Sequence, residues 1–184
     1  MGAGVIIGII VILIIIWLIV TYNGFIKARN SVEEGFSTMD VYLKKRFDLI
    51  PNLVETVKGY AKHEKETLEN ITAARTKISN ASSIEERAAG ENQLTGALKT
   101  LFAVAEAYPD LKANTNFLNL QGQLQQVEQD IANSRKYYNA VVKKYNNKCE
   151  MFPSSIIARL FNFTRRAMFE VGSEAERQNV NVQF

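Results

Sequence analysis

Hydrophobic positions along this chain follow two different patterns, and the change between them marks its main boundary. Over "GAGVIIGIIVILIIIWLIV", residues 2–20, every position is apolar or small, and the first charged side chain is Lys27. Farther on, apolar residues recur three and four apart. Val32, Phe36, Met39, Leu43, Ile50, Leu53, Val57 and Tyr60 hold one helical face, interrupted only at Arg46. Pro51 falls inside this run without shifting its phase, since Ile50 and Leu53 share a face with Leu43 and Val57. A proline within a helix costs roughly 3 kcal/mol, yet "LIPNL" offers only Asn52 as a turn former. Pro51 therefore reads as a kink within one long helix, with a tight turn between two helices as the alternative. The kink predicts a rod running from the apolar segment to about Ser79, some 75 residues and on the order of 110 Å.

"SNASS" ends that run, and Ser83 with Glu86 forms a candidate capping box for the next helix. This helix carries Ile84, Ala88, Leu94, Leu98, Leu101 and Ala105 on one side and should stop near Pro109. After the loop "DLKANTN" comes the most regular seam in the chain: Phe117, Leu120, Leu124, Val127, Ile131, Ser134, Tyr138, Val141 and Tyr145, ending before Pro153. "SSIIARLFNFTRRAMFE" predicts a last, shorter helix. In "VNVQF", Val180, Val182 and Phe184 alternate as in an extended segment, open to packing on the bundle or to addition at a partner's sheet edge. No segment of the body reads as a strand. The expected fold is all-α: an N-terminal transmembrane helix continuing into a long kinked helix that packs in an antiparallel four-helix bundle. The expected boundaries are an anchor at 1–22, a bundle at 23–171 and an extended tail at 172–184.

About 20 apolar residues at ~1.5 Å rise span a hydrocarbon core of about 30 Å, so the first segment reads as a retained membrane anchor. A cleaved signal would need a basic start and a small-x-small site, neither of which "MGAGV" or "IVTYNGF" supplies. Trp17 and Tyr22 suit the membrane–water boundary, and Lys27 and Arg29 on the C-terminal flank favour an N-terminus outside and a cytoplasmic body. Gly4 and Gly8 lie one turn apart, a spacing that lets membrane helices approach closely, or are small residues with no partner.

Charge and chemistry narrow the function. The 184 residues carry 22 basic and 19 acidic side chains, a net charge of +3, without the concentrated basic face of a nucleic-acid binder. A lone cysteine, Cys149, forms neither an internal disulfide nor a cysteine-based zinc site. "HEKET" lacks the second histidine of HExxH, because His63 is the only histidine. No glycine-rich phosphate loop is present. Lys44, Lys45 and Arg46 form a basic cluster about 35 Å beyond the membrane along a continuous helix, too far for headgroups to attract it. It reads as a solvated face or, alternatively, a contact for a partner protein. "ARLFNFTRRAMF" alternates arginines with large apolar residues, which suits both a membrane-surface helix and the bundle's own core, the core being favoured.

Residues 22–75, "YNGFIKARNSVEEGFSTMDVYLKKRFDLIPNLVETVKGYAKHEKETLENITAAR", resemble the hallmark region of the LemA family of bacterial membrane-anchored proteins. "ENQLTGALKTL", "VAEAYPDLKAN", "FLNLQGQL", the pairs Tyr138–Asn139 and Tyr145–Asn146, and the C-terminal V-x-F extend the resemblance over nearly the whole chain. The resemblance implies a single-pass inner-membrane protein with its N-terminus outside and a cytoplasmic helical bundle. It carries over no catalytic residue. A relative in magnetosome-forming bacteria is linked to membrane shaping, and some members are encoded near membrane proteases. The expectation is a non-catalytic scaffold in the lipid bilayer, with no cofactor, metal, small-molecule substrate or nucleic-acid partner. It would assemble with its own copies through Gly4, Gly8, Trp17 and Tyr22 and through a seam of Val32, Phe36, Met39, Leu43, Ile50, Leu53 and Val57. The rival expectation is an adaptor for another membrane protein, such as a protease, using Lys44, Lys45, Arg46 or the tail residues Val180, Val182 and Phe184.

Overall fold

Isoleucine, valine, leucine and small residues, with Trp17 and no charged side chain, leave the backbone of the first segment no polar partner but itself, and a helix satisfies every such group internally. In the computed structural model, which describes residues 2–61 and 64–170, that helix does not stop where the apolar run ends. It is α1, Gly2–Lys58, 57 residues and about 85 Å long at ~1.5 Å per residue. There follow α2 (Lys65–Ser79), α3 (Ile84–Ala105), the single turn α4 (Pro109–Lys112), α5 (Thr115–Glu150) and α6 (Ser154–Leu160). No strand occurs among the described residues.

Pro51 lies inside α1 with its ring on the exposed side, so the chain does not reverse there. The rod, however, ends at Lys58 rather than near Ser79. Its last carbonyls are closed by the amides of Tyr60 and Ala61, both bonded to Val57 O at 3.0 and 2.8 Å. Gly59 is the physical reason, since glycine is the residue least committed to helical backbone. Beyond it the chain doubles back. Arg75 of α2 lies over the Phe47 ring at 4.2 Å, while Val54 and Leu68 line one groove nearer the turn. α3 returns beside α2, and the predicted capping box appears in shifted form. Ser83 Oγ accepts from Glu86 N at 3.1 Å, but the Glu86 carboxylate accepts from Ser82 N and Ser82 Oγ, at 2.8 and 2.9 Å. The Ser82 backbone N–H, then its hydroxyl, hold the Glu86 carboxyl below the usual range. Pro109 does not merely end α3; it starts α4 within the stretch read as a loop.

α5 runs antiparallel to α1 along its length beyond the anchor. Phe36 packs on Tyr138 with ring centroids 5.8 Å apart, and Phe25 on Tyr145 at 6.3 Å. Two buried clusters result. The distal one joins Ile50, Leu53 and Val57 of α1 to Leu68, Ile71, Leu94, Leu98, Phe117 and Leu124. The proximal one joins Phe25, Val32, Met39 and Leu43 to Val127, Ile131, Tyr138, Val142 and Tyr145. Burying a side chain of this size contributes about 1.5–3 kcal/mol. Four helices therefore surround the distal half. The proximal half is largely α1, α5 and the residues after α5.

Those last residues depart from the sequence expectation. α6 stops at Leu160, because Asn162 takes the left-handed conformation (φ 55°) and Phe163 N reaches back to Ala158 O at 2.8 Å, a helix-terminating arrangement. Residues 163–170 then run back along α5 as a strap. Asn146 Nδ2 donates to Arg166 O and Arg166 N to Asn146 Oδ1, both at 2.9 Å. Asn139 makes the same pair of bonds with Phe169, at 3.0 and 2.8 Å, and Tyr138 Oη donates to Ala167 O at 2.9 Å. Seven helical residues advance about 10 Å, as do three extended ones, so the Tyr-Asn repeat matches the register of the strap. Backbone groups that would have made helix bonds are satisfied by side-chain amides instead.

Candidate functional site

The membrane end of the molecule is built from three pieces that contact one another: α1 around Trp17–Phe25, the end of α5, and α6 with the start of the strap. Tyr22 meets the rings of Phe161 and Phe163 at 4.8 and 5.8 Å, and Phe163 stacks on Phe25 at 4.7 Å with 7° between planes. Trp17 and Leu18 pack partly against the same cluster. Lys148 of α5 projects its ammonium over the Phe25 ring at 5.2 Å, beside Gly24. Ahead of this junction the anchor is bare: the large apolar side chains from Val5 to Ile16 are all exposed, and a Cβ added at Gly4 or Gly8 would meet nothing within 4 Å.

The proposed self-association seam is placed differently from the expectation. Val32, Met39, Leu43, Ile50, Leu53 and Val57 are buried inside the chain's own core, and Phe36 packs partly against it. Their outlet is α5 together with α2 and α3, which leaves no such stripe facing a neighbour. Arg46 also moves. It does not join Lys44 and Lys45 at the surface but is fully buried at the junction of the two clusters. Its Nη1 donates to Thr95 Oγ1 at 2.7 Å and to the Glu128 carboxylate; its Nη2 donates to Glu91 O at 3.2 Å and to the Glu91 carboxylate. Lys44 pairs with Asp48 one turn away at 3.1 Å, and Lys45 is exposed. His63, Val180, Val182 and Phe184 lie outside the described residues.

Chemistry has little to work with here. Among the described residues no three His, Cys, Asp or Glu side chains gather as a metal site. Burial pushes the Cys149 thiol up, the reverse of an activated nucleophile. An open groove of about 700 Å³ between the end of α1 and α2 has Val54, Ala61, Leu68 and Ala73 on its walls, with Lys58, Lys65 and Glu69 among its polar lining. Its two hydroxyls are engaged by helix backbone, Thr72 Oγ1 donating to Leu68 O and Thr76 Oγ1 to Thr72 O, both at 3.0 Å.

Two features escaped the sequence reading. The strap could have been found from Tyr-Asn repeating at seven residues. The exposed apolar turn between α5 and α6, Met151 and Phe152, carries no periodic signal of its own, since it lies between the α5 seam and the stretch "ARLFNFTRRAMF".

Comparison with known proteins adds the following. The LemA family profile matches residues 35–184. Protein LemA of Metamycoplasma hominis is 28% identical over 163 residues, covering 86% of this chain and 73% of its own. Magnetosome protein MamQ 2 of Paramagnetospirillum magneticum is 25% identical over 179 residues, and MamQ of Magnetospirillum gryphiswaldense 24% over 178. Each of these two alignments covers 83% of this chain but just under two thirds of the relative, 66% and 65%.

Proposed function

The chain belongs to the LemA family, and from that premise we propose that it is a membrane-anchored, non-catalytic scaffold whose copies associate side by side through the anchor. The observation that carries this reading is the contrast between the two halves of α1. Beyond Phe25 its apolar face is consumed by the bundle, whereas from Val5 to Ile16 the large apolar side chains of the helix are exposed among the described residues. Lipid covers such a surface, and glycines one turn apart at Gly4 and Gly8 let a second copy approach closely enough for backbone packing. Self-association therefore rests on the anchor alone, and α1 continues from it directly into each bundle. Lys27 and Arg29 on the bundle side support an orientation with the bundle in the cytoplasm of a bacterial cell and the N-terminus outside the inner membrane. Relatives named as magnetosome proteins favour a role in organising a membrane over a reaction.

Light scattering of the full-length chain in mild detergent tests the assembly. The parent protein is expected to run as a defined oligomer at micromolar concentration. Gly4→Leu combined with Gly8→Leu is expected to convert it to monomer with its helicity unchanged. A parent that is monomeric throughout this range refutes self-assembly.

A further inference from the structure

α6 is apolar on both of its sides. Ile157 and Ala158 are buried against the bundle, while Ile156 and Leu160, four residues apart, are 51% and 66% exposed. The turn before it shows Met151 at 62% and Phe152 at 81% exposure. Single exposed apolar residues are ordinary. Four within ten residues, on a turn and a helix whose opposite side is already packed, form a cap at one end of the bundle that no described residue covers. Ser154, Ser155 and the exposed Arg159 are the polar residues of this helix, and a short segment that mixes a cation with exposed large apolar side chains suits a bilayer surface.

The register of α5 on α1 says which. Tyr138 lies against Phe36, Tyr145 against Phe25 and Lys148 beside Gly24. Continuing that antiparallel register by one turn sets Met151 and Phe152 level with Val20 and Thr21. Phe161 independently fixes the end of α6 at Tyr22. An anchor of about 20 residues from Gly2 reaches its hydrocarbon boundary within a turn of Tyr22, before the first charge at Lys27. The cap is thus at the height of the boundary through which α1 leaves the bilayer. Its charges suit that place. From Lys148 to Arg166 there are four basic residues against one acidic, and the acidic one, Glu150, is paired with Arg165 at 2.9 Å.

We propose that the α5–α6 turn and α6 form a second contact with the bilayer, seating Met151, Phe152, Ile156 and Leu160 in its interfacial layer beside the anchor. Amphipathic segments of this kind bury their apolar side about 5–10 Å into the headgroup–acyl boundary. With two contacts the bundle is held at a fixed tilt and rotation, where a lone helix would leave it free to turn about its axis. The contact rests on the anchor reading, so its test must fail separately from that reading.

Full-length protein is reconstituted into vesicles of phosphatidylethanolamine and phosphatidylglycerol, with or without lipids brominated on the acyl chains near the headgroup. Native Trp17 reports the anchor. Phe152→Trp in a Trp17→Phe background reports the cap, and Tyr60→Trp in the same background reports the distal end. The indole at position 152 is expected to emit farther to the blue than that at position 60 and to be quenched by brominated lipid to an extent comparable with Trp17. The indole at position 60 should stay unquenched. Quenching of Trp17 without quenching at position 152 overturns the second contact and leaves the anchor standing. Quenching at neither overturns both. An indole at position 152 that is shielded from aqueous acrylamide yet untouched by brominated lipid means that protein covers the cap, and this also overturns the proposal.

Discussion

Replacing Arg46 by methionine probes the joint between the two halves of the bundle. Methionine fills much of the same volume, but four of the five guanidinium N–H donors are engaged by Thr95, Glu128 and Glu91. The two carboxylates differ in what happens next. Glu128, 33% exposed, can turn to water; Glu91, at 1%, cannot, and keeps only Arg87 Nε at 4.0 Å, beyond hydrogen-bond reach, as a counter-charge. Removing one member of a buried ion pair costs about 3–5 kcal/mol, a large share of a total stability of about 5–15 kcal/mol. At about 2–4 °C per kcal/mol for a chain of this size, the midpoint should fall by roughly 6–20 °C. Heat unfolding of the full chain in detergent, followed by the near-ultraviolet circular dichroism of the packed tyrosines, reads this out without interference from the anchor helix. Adding Glu91→Met should restore most of the loss, because a buried pair replaced as a whole by apolar side chains is often neutral or better. A single variant within about 1 kcal/mol of the parent, below the range for a broken buried pair, refutes the account. So does a double variant as unstable as the single one.

Two further outcomes follow from close contacts. Asn146→Ala should remove exchange protection at the Arg166 amide and Asn139→Ala at the Phe169 amide, each lowering stability by about 1–3 kcal/mol for two lost hydrogen bonds; unchanged protection at either amide would mean that the strap is held some other way. Gly90 and Gly96 should respond in opposite directions. A Cβ at Gly90 meets Ile78 Cγ1 at 2.9 Å and Ile78 N at 3.3 Å, so Gly90→Ala should destabilise through overpacking worth about 1–3 kcal/mol, while Gly96→Ala, with nothing within 4 Å, should gain up to about 1 kcal/mol of helix propensity. Urea midpoints in the reverse order would contradict the close approach of α2 and α3.

Periodicity told where the helices are and which side of each is buried, but not against what. A three-four seam records that a face leaves water; it does not record whose side chains cover it. The stripe on α1 suits a neighbouring copy only as long as the second seam of matching length, on α5, is left out of account. α5 is 36 residues long, as is α1 from residue 23 to Lys58. Two equal seams in one chain satisfy each other at far lower entropic cost than two chains do, since closing a loop grows only slowly more expensive with length. The reversal at Gly59 was missed for a related reason. Pro51 is the louder interruption, but its cost is set by one lost hydrogen bond and leaves the phase intact, whereas glycine beyond the last seam residue, Val57, lets the chain leave the helix cheaply.

Arg46 shows what pairwise reading of the seams would have added. Each of two seams has one position filled by the wrong kind of residue: Arg46 between Leu43 and Ile50 on α1, and Glu91 between Ala88 and Leu94 on α3. Taken alone, each reads as a flaw, and Arg46 beside Lys44 and Lys45 reads as part of a surface cluster. Taken together, the interruptions have opposite charge, and a buried charge persists only with a partner. Their pairing fixes the sliding register of α3 on α1, because a shift of one turn would bury both charges against leucine. Glu128 extends the same constraint to α5. With that register set, the end of α5 cannot move along α1, and the apolar cap it carries stays level with Tyr22. The height of the cap along α1 is thus determined about 35 Å away, by a polar layer buried in the middle of the bundle.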